Sequence, residues 1–314
     1  MANPGGGAGG RGRRWPPLLG YAYIAPNFLG FLVFTLLPVL AVGVMAFYKG
    51  SFTTRFDPAA GGLKVAAEYA GVVNFRQLGT ELGEGGELRR ALWNTSVLLL
   101  SVPLQMAASL GLALLINRKI RGRVVFRTLL FLPTIASGIA LFLVWRWIFN
   151  KDFGLLNDVL GVHVDWLGDP ALAKPSLILM GVWTAMGGTN MVLFLAGLQG
   201  IDPTLYEAAE IDGAGAWDKF RHVTWPELRP TTFFILTTNL IGGFQIFDQV
   251  FIMTGGGPEG ATTTILYYVY QNMYVFEGRL GYASALSIFL FGIVFAVTLV
   301  NYLVSSGGAG AVRS

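Results

Sequence analysis

The sequence contains no cysteine among its 314 residues, which excludes disulfides, zinc–thiolate centres, iron–sulfur clusters and cysteine nucleophiles. Only two histidines occur, His163 and His222, and they lie in different predicted compartments, so we expect no histidine-based metal or nucleophilic site. The chain also lacks the G-x-x-x-x-G-K-[ST] phosphate loop and any spaced set of catalytic acids and bases. These absences argue against an enzyme and against a bound cofactor.

Charge is scarce as well, at 13% of residues against about 25% in an ordinary soluble domain. Apolar sequence takes its place, with 54% hydrophobic residues and a mean hydropathy of +0.57. Six stretches approach the length of about 20 residues that crosses a bilayer. They predict an all-α polytopic membrane protein with six transmembrane helices at residues 21–47, 91–116, 124–148, 175–198, 230–253 and 283–304.

The positions of Lys and Arg predict the orientation of these spans. With the N-terminus in the cytoplasm, the inside segments hold 12 of these residues and the longer outside loops hold 9. Both termini are therefore predicted to be cytoplasmic, with residues 1–17 a disordered basic tail, 18–306 the membrane domain and 307–314 a short tail. The basic run at 118–123 predicts contact with lipid headgroups, and no nucleic-acid partner is expected.

The loop between spans four and five, residues 202–226, has the composition of two short helices. Asp202 is a good N-cap, Pro203 suits the first helical position, and Gly213 falls where a left-handed C-cap would end the first helix. A second helix is predicted from Ala216, ending before Pro226. By these features alone, the loop is either an interfacial helix lying on the membrane or a docking element for another protein.

Polar residues are concentrated in spans four and five, where they are expected to face the interior of the bundle. They predict a hydrogen-bonding surface for a polyhydroxylated solute, and the alternative is a set of contacts that hold the spans together. The candidate solute-binding residues are Gly187, Thr189, Asn190, Asn239, Gly243, Gln245 and Asp248. Asp248 has three readings: an acid paired with Arg146 or with a partner cation, a hydrogen-bond acceptor for sugar, or a proton relay.

Two motifs resemble a known family. Glu207, Ala208, Ala209, Asp212, Gly213, Ala214, Phe220 and Pro226 follow the pattern of the "EAA" loop of binding-protein-dependent ABC importer permeases. The segments at 254–258, 262–264 and 281–285 look like the last outer loop and last span of the sugar-importer branch, which includes maltose, trehalose and glycerol-phosphate permeases. The resemblance extends from about residue 21 onward.

The resemblance implies a type I ABC importer fold in the bacterial inner membrane, with the EAA-loop residues docked on an ATPase. It implies as partners a homologous second permease, two cytoplasmic ATPase subunits that bind ATP and Mg, an extracellular or periplasmic solute-binding protein, and membrane lipid. Because Asp248 lies near the expected path, a neutral sugar or oligosaccharide is favoured. A glycerol-phosphate-type solute, a proton-coupled secondary transporter and a membrane scaffold remain as alternatives.

Overall fold

The computed structural model describes residues 17–57, 62–83, 85–118 and 122–309. The predicted tails at 1–16 and 310–314, and part of the basic run at 118–123, lie outside these residues. The described chain is mostly helical, with a single two-stranded hairpin among the described segments. The elements are α1 Pro17–Phe31, α2 Leu37–Met45, β1 Tyr48–Asp57, β2 Gly62–Tyr69, α3 Val73–Glu81, α4 Glu87–Leu98, α5 Ser101–Asn117, α6 Arg123–Ile135, α7 Gly138–Ile148, α8 Leu155–Leu160, α9 Pro170–Met186, α10 Thr189–Gln199, α11 Pro203–Ile211, α12 Ala216–Lys219, α13 Trp225–Glu227, α14 Arg229–Phe244, α15 Asp248–Met253, α16 Ile265–Tyr270 and α17 Leu280–Ala309.

Long apolar helices dominate the described part of the chain. Continuous helical stretches at Tyr23–Met45, Glu87–Asn117 and Leu280–Val304 are long and apolar enough to cross a membrane. The first of them buries none of its most apolar window inside the chain, so its side chains are left for lipid or a partner. The fifth predicted span corresponds to α14, which has 16 residues and is followed by a break. The count of six spans therefore stays a prediction.

Two predicted spans are broken rather than straight. Helices α6 and α7 are bent by 97° across residues 136 and 137, and α9 and α10 are bent by 45° across Gly187 and Gly188. Ala136 and Ser137 leave the helical conformation, with ψ values of 148° and 129°. The apolar composition runs through both breaks, which explains why hydropathy alone predicts unbroken helices there.

Wide turns accommodate two prolines inside helical segments. The π-helical turns Leu32–Leu36 and Phe220–Thr224 directly precede the helices that carry Pro38 and Pro226. A proline lacks the backbone N–H and its ring collides with the preceding turn of a regular helix, and a wider turn relieves that collision. The predicted end of the loop helix before Pro226 is therefore wrong, because helical structure continues to Glu227.

The hairpin departs from the predicted all-α class. Strands β1 and β2 pair antiparallel, with Tyr48 opposite Tyr69 and their rings 5.6 Å apart. The Asn74 side-chain amide donates 2.8 Å hydrogen bonds to the carbonyls of Ala46 and Tyr48, which fixes the base of the hairpin to the end of α2. A prediction based on long apolar runs does not detect strands in a polar connection.

The core near the functional region lies between α5, α10 and α14. Leu110, Ala113, Met191, Phe194 and Ile235 are buried together there. The loop that follows α10 packs three half-buried side chains against the same cluster, namely Tyr206, Phe220 and Val223. This packing fixes the loop rigidly to the helices it connects.

Candidate functional site: a polar cavity and a two-helix loop

A cavity of about 360 Å³ lies where the two broken helices meet. Its wall contains the end of α6, the first turn of α7, and the junction of α9 with α10, and α14 contributes one side chain. The lining residues are Pro133, Thr134, Ala136, Gly138, Leu141, Phe142, Thr184, Ala185, Gly188, Thr189, Asn190 and Asn239. The helix breaks thus place helix termini and small polar side chains around the same cavity.

A second cavity, of about 250 Å³, adjoins the first. The two share Phe142, Thr184, Ala185 and Asn239 as wall residues. The other lining residues of the second cavity are Ser101, Gln105, Met180, Gly181, Thr238, Gly242, Gly243, Ile246 and Gln249. Among the residues that the structure describes, none of those lining either cavity carries a charge. The walls offer hydroxyls, amides and apolar surface.

Two amide groups in the cavity walls have no hydrogen-bond partner. The side-chain nitrogens of Asn190 and Asn239 are buried and unpaired within the described chain. Asn190 is only 7% exposed, so ordinary solvent contact does not replace the missing bond. A buried polar group without a partner costs free energy, and native proteins keep few of them. These two amide nitrogens are therefore the strongest candidates in the cavity for groups that bind a ligand.

Glycines at the breaks allow backbone and side chains to approach closely. A Cβ on Gly187 would lie 2.3 Å from the Leu130 carbonyl oxygen, and a Cβ on Gly188 would lie 2.6 Å from the Thr134 hydroxyl. A Cβ on Gly243 would lie 2.5 Å from a Leu99 methyl group. Gly187 thus serves packing of α9 against α6 rather than lining a cavity, whereas Gly188 and Gly243 do both.

The structure brings together four of the seven candidate solute-binding residues. Thr189, Asn190 and Asn239 line the first cavity, and Asn239 and Gly243 line the second. Gly187, Gln245 and Asp248 line neither. Because α14 ends at Phe244, the polar residues Thr238, Gln245 and Gln249 of predicted span five do not lie on one helix.

Asp248 is exposed, and it makes no ion pair within the described residues. The predicted pairing with Arg146 is absent there, because the Arg146 guanidinium instead donates to the Ile252 carbonyl at 3.2 Å. Three polar wall residues lie outside predicted spans four and five and were not among the candidates, namely Ser101, Gln105 and Thr134. An amide flanked by apolar residues is the signal that indicates Gln105.

The loop after α10 has the predicted two-helix form with a glycine corner. The Asp202 carboxylate accepts a 2.9 Å hydrogen bond from the Thr204 N–H, and this bond holds the pKa of Asp202 below its ordinary value of 3.8. Gly213 has a φ of 78°. The N–H of Ala214 bonds the Ala209 carbonyl, and the N–H of Gly213 bonds that of Glu210, which together form a Schellman C-cap.

Side-chain contacts stiffen this corner. Lys219 forms an ion pair with Glu210 across the two helices, and the Tyr206 hydroxyl lies 2.9 Å from that of Thr224. The rings of Trp217 and Phe220 stack at 5.5 Å. The loop is therefore a preformed body rather than a flexible tether.

The outer surface of this loop is unusually apolar. Ile211 is 87% exposed and Trp217 is 68% exposed, and Leu205 is exposed as well. Of the predicted loop residues, Glu207, Ala208, Asp212 and Gly213 are exposed, while Ala209, Ala214, Phe220 and Pro226 are partly buried. Glu207 and Ile211 are four residues apart on α11 and so share one face. Exposed apolar side chains grouped on a rigid element are typical of an interaction surface.

Comparison with known proteins decides the family. Residues 84–307 match the family described as the binding-protein-dependent transport system inner membrane component. The chain belongs to this family. It is therefore a multi-pass membrane permease. Members of this family are the transport components of their importers and are not ATPases.

Curated relatives match this permease over most of their length. The lactose transport system permease protein LacF of Rhizobium radiobacter is 32% identical over 93% of this chain and 94% of its own. The trehalose/maltose transport system permease protein MalF of Thermococcus litoralis is 33% identical over 90% and 92%. A solved bacterial ABC transporter involved in alginate import shares the fold, with a TM-score of 0.77, 24% identity, and coverage of 92% and 95%.

Proposed function

We propose that this permease is a membrane subunit of an ATP-driven importer and moves a saccharide that an extracellular solute-binding protein delivers. Its relatives LacF and MalF are named for sugars, and the two adjoining cavities have the amide and hydroxyl walls that suit sugar hydroxyls. The solute-contacting residues in this proposal are the predicted candidates that line the cavities, namely Thr189, Asn190, Asn239 and Gly243.

The observation that carries the coupling half of this proposal is the stiff corner at Gly213. A packed loop whose two helices are joined by an ion pair, a hydroxyl contact and a Schellman cap transmits displacement, whereas a flexible connection would absorb it. We assign the exposed face of α11, with Glu207, Ala208 and Ile211, to contact with a cytoplasmic ATPase. Ala209 and Phe220 hold that face on the membrane helices.

The remaining parts of the assembly follow from this role. The chain would pair with a homologous second permease, and two ATPase subunits would bind the ATP and Mg. The predicted six spans with both termini in the cytoplasm would put the loop at 202–226 on the ATPase side of the membrane. A proton relay has less support, because no acid is found among the described residues that line the cavities.

Substitution of Gly213 tests the docking role. Gly213→Pro forces φ near −65° and removes the N–H that bonds Glu210, so we expect it to abolish ATPase coupling. Gly213→Asn is the matched control, because asparagine tolerates the left-handed conformation and a Cβ here meets no atom within 4 Å. The measurements are co-purification of an ATP-hydrolysing subunit and solute-stimulated ATP hydrolysis.

The proposal predicts that the proline variant still reaches the membrane but no longer retains or stimulates the ATPase. Unchanged retention and stimulation in both variants would remove the docking role. Failure of the unaltered permease to co-purify with any ATP-hydrolysing subunit would remove the importer function itself.

A further inference from the structure

Two helices begin at the wall of the first cavity. Helix α7 begins at Gly138 and helix α10 begins at Thr189, and the first turn of each contributes lining residues. Both helices have 11 residues. The N-cap residues Ser137 and Gly188 make no side-chain capping hydrogen bond. The first N–H groups of both helices therefore lack the usual side-chain partner.

These two helix starts favour negative charge in the cavity. The N-terminus of a helix carries about half a positive elementary charge, and its free N–H groups point along the helix axis away from the helix. In membrane transporters, the starts of broken helices near the middle of the bundle are suited to anionic substrate groups. Because two helix N-termini lie at one cavity, both favour a negatively charged group there.

An independent feature points to a ligand at the same place. Asn190 follows the first residue of α10, is 7% exposed, and its side-chain nitrogen has no hydrogen-bond partner in the described chain. Asn239 on α14 adds a second unpaired amide nitrogen to the wall. Both free atoms are donors, so the missing partner must supply acceptors. A carboxylate or sulfonate has only acceptors, whereas a sugar hydroxyl also carries a donor.

The charge of the surroundings agrees with this assignment. The described wall residues include no acid that would repel an anion. The preference for a neutral solute rested on Asp248, and this residue lines neither cavity and is exposed. The cavity wall also lacks Lys and Arg among its described residues, so the charge of a bound anion would be met by helix ends and amides.

We propose that the cavity between α7 and α10 binds the acidic group of an anionic saccharide, such as the carboxylate of a uronate. This inference rests on the proposed saccharide importer and specifies its substrate class. Asn190 and Asn239 donate to the acidic group, together with the first N–H groups of the two helices. The adjoining second cavity then takes the uncharged remainder of the solute.

The test compares matched sugar pairs on the assembled complex. The permease, with the subunits that co-purify with it, is placed in lipid nanodiscs. Binding of methyl glucuronide and methyl glucoside is measured directly, and the galactose and mannose pairs are measured in the same way. Within each pair only the group at C6 differs. We expect the acidic member of at least one pair to bind about tenfold more tightly than its neutral counterpart.

Three variants at two positions sharpen the test. Asn190→Asp places a negative charge in the cavity and is expected to weaken uronate binding about tenfold more than it weakens the binding of the neutral sugars. Asn190→Leu, which removes the donor without adding charge, is expected to reduce uronate binding by a smaller factor. Asp248→Asn removes a charge outside the cavity and should change the binding of neither the acidic nor the neutral sugar of a pair.

Several results would overturn the inference. One such result is that every neutral sugar binds as tightly as its acidic counterpart, or more tightly. Another is that no uronate binds at millimolar concentrations. A third is that Asn190→Asp leaves the preference for the uronate unchanged. The importer function survives these results if the complex still hydrolyses ATP in response to a neutral sugar. Loss of the ATPase association, in contrast, would contradict the importer function whatever the solute.

Discussion

Two polar, glycine-containing regions of the permease differ in whether their polar groups have partners. The loop at residues 254–264, here called the Gly-Thr loop, bonds its threonines internally or to a neighbour. Thr262 donates to the Gly257 carbonyl at 2.7 Å, Thr263 to Gly256 at 3.1 Å, and Thr264 to Ile246 at 2.8 Å. Thr254 lies 2.7 Å from the Thr262 hydroxyl.

A side chain from another helix completes that network. Asn94 on α4 is 1% exposed and its amide donates to the carbonyls of Gly260 and Thr263. The Asn94 oxygen accepts in turn from the Lys174 ammonium at 2.9 Å. In the cavity between α7 and α10, by contrast, two buried amide nitrogens have no partner in the described parts of the chain.

This difference in hydrogen bonding assigns a structural role to the Gly-Thr loop and a ligand-binding role to the cavity between α7 and α10. Both regions contain glycine and threonine, so the presence of these residues does not distinguish them. Hydrogen bonds that close within the chain stabilise the fold, whereas donors that are left open lower stability until a ligand pairs with them. The loop at 202–226 forms a third case, because its polar groups cap and join helices while its apolar groups are left exposed.

The largest effect on stability is expected for Asn94→Leu. The change leaves two carbonyls and the Lys174 ammonium without their partner in a buried site, at a cost of about 3 kcal/mol. Thermal unfolding of the detergent-purified permease measures this loss. Asn190→Leu is the matched control and should change stability by less than about 1 kcal/mol, because its amide has no partner to lose. Equal losses in the two variants would remove the distinction between the regions.

A smaller effect is expected for Thr262→Val. Thr262 is fully buried, and valine keeps its shape while removing the hydroxyl that bonds Gly257 and Thr254. We expect a loss of about 1 to 2 kcal/mol in the same unfolding measurement. Thr189→Val in the cavity serves as the comparison and should be close to neutral, because Thr189 is exposed and has no partner among the described residues. A large loss at Thr189 would contradict its assignment to the open cavity wall.

The smallest effect is expected at Asp202. Its pKa is lowered by the bond from the Thr204 N–H, so the carboxylate stabilises α11 above pH 3.8 and loses this contribution as the pH falls through the lowered value. Hydrogen exchange at the Thr204 amide should therefore accelerate in acid relative to neighbouring amides. Asp202→Asn, which caps without ionising, should not show this step. Persistence of the step in that variant would assign it to another group.

Much of the architecture could be predicted from residue patterns. Apolar runs indicate the long helices, and the sequence of Asp202, Pro203 and Gly213 indicates α11 with both its caps. The hairpin at β1 and β2 and the helix break at Ser137 could not be predicted in this way. Breaks in apolar helices depend on how neighbouring helices pack, and such packing is not visible in hydropathy.

The candidate site was predicted in part. Thr189, Asn190, Asn239 and Gly243 do line the cavities, because polar residues within apolar helices turn inward. Asp248 was misplaced, because the regular helix assumed for span five ends at Phe244. Gln105 lies in predicted span two, outside the two spans in which polar residues are concentrated, so their concentration did not indicate it.

Residue order alone determined that this chain enters a membrane and carries a two-helix loop, since hydropathy, capping and the glycine corner act over a few neighbouring residues. Tertiary structure alone decided which polar groups remain open. Asn94 and Asn190 are the same residue type, each within a predicted span. Only the loops and helix breaks that pack beside them give the Asn94 amide its partners and leave the Asn190 amide nitrogen unpaired among the described residues.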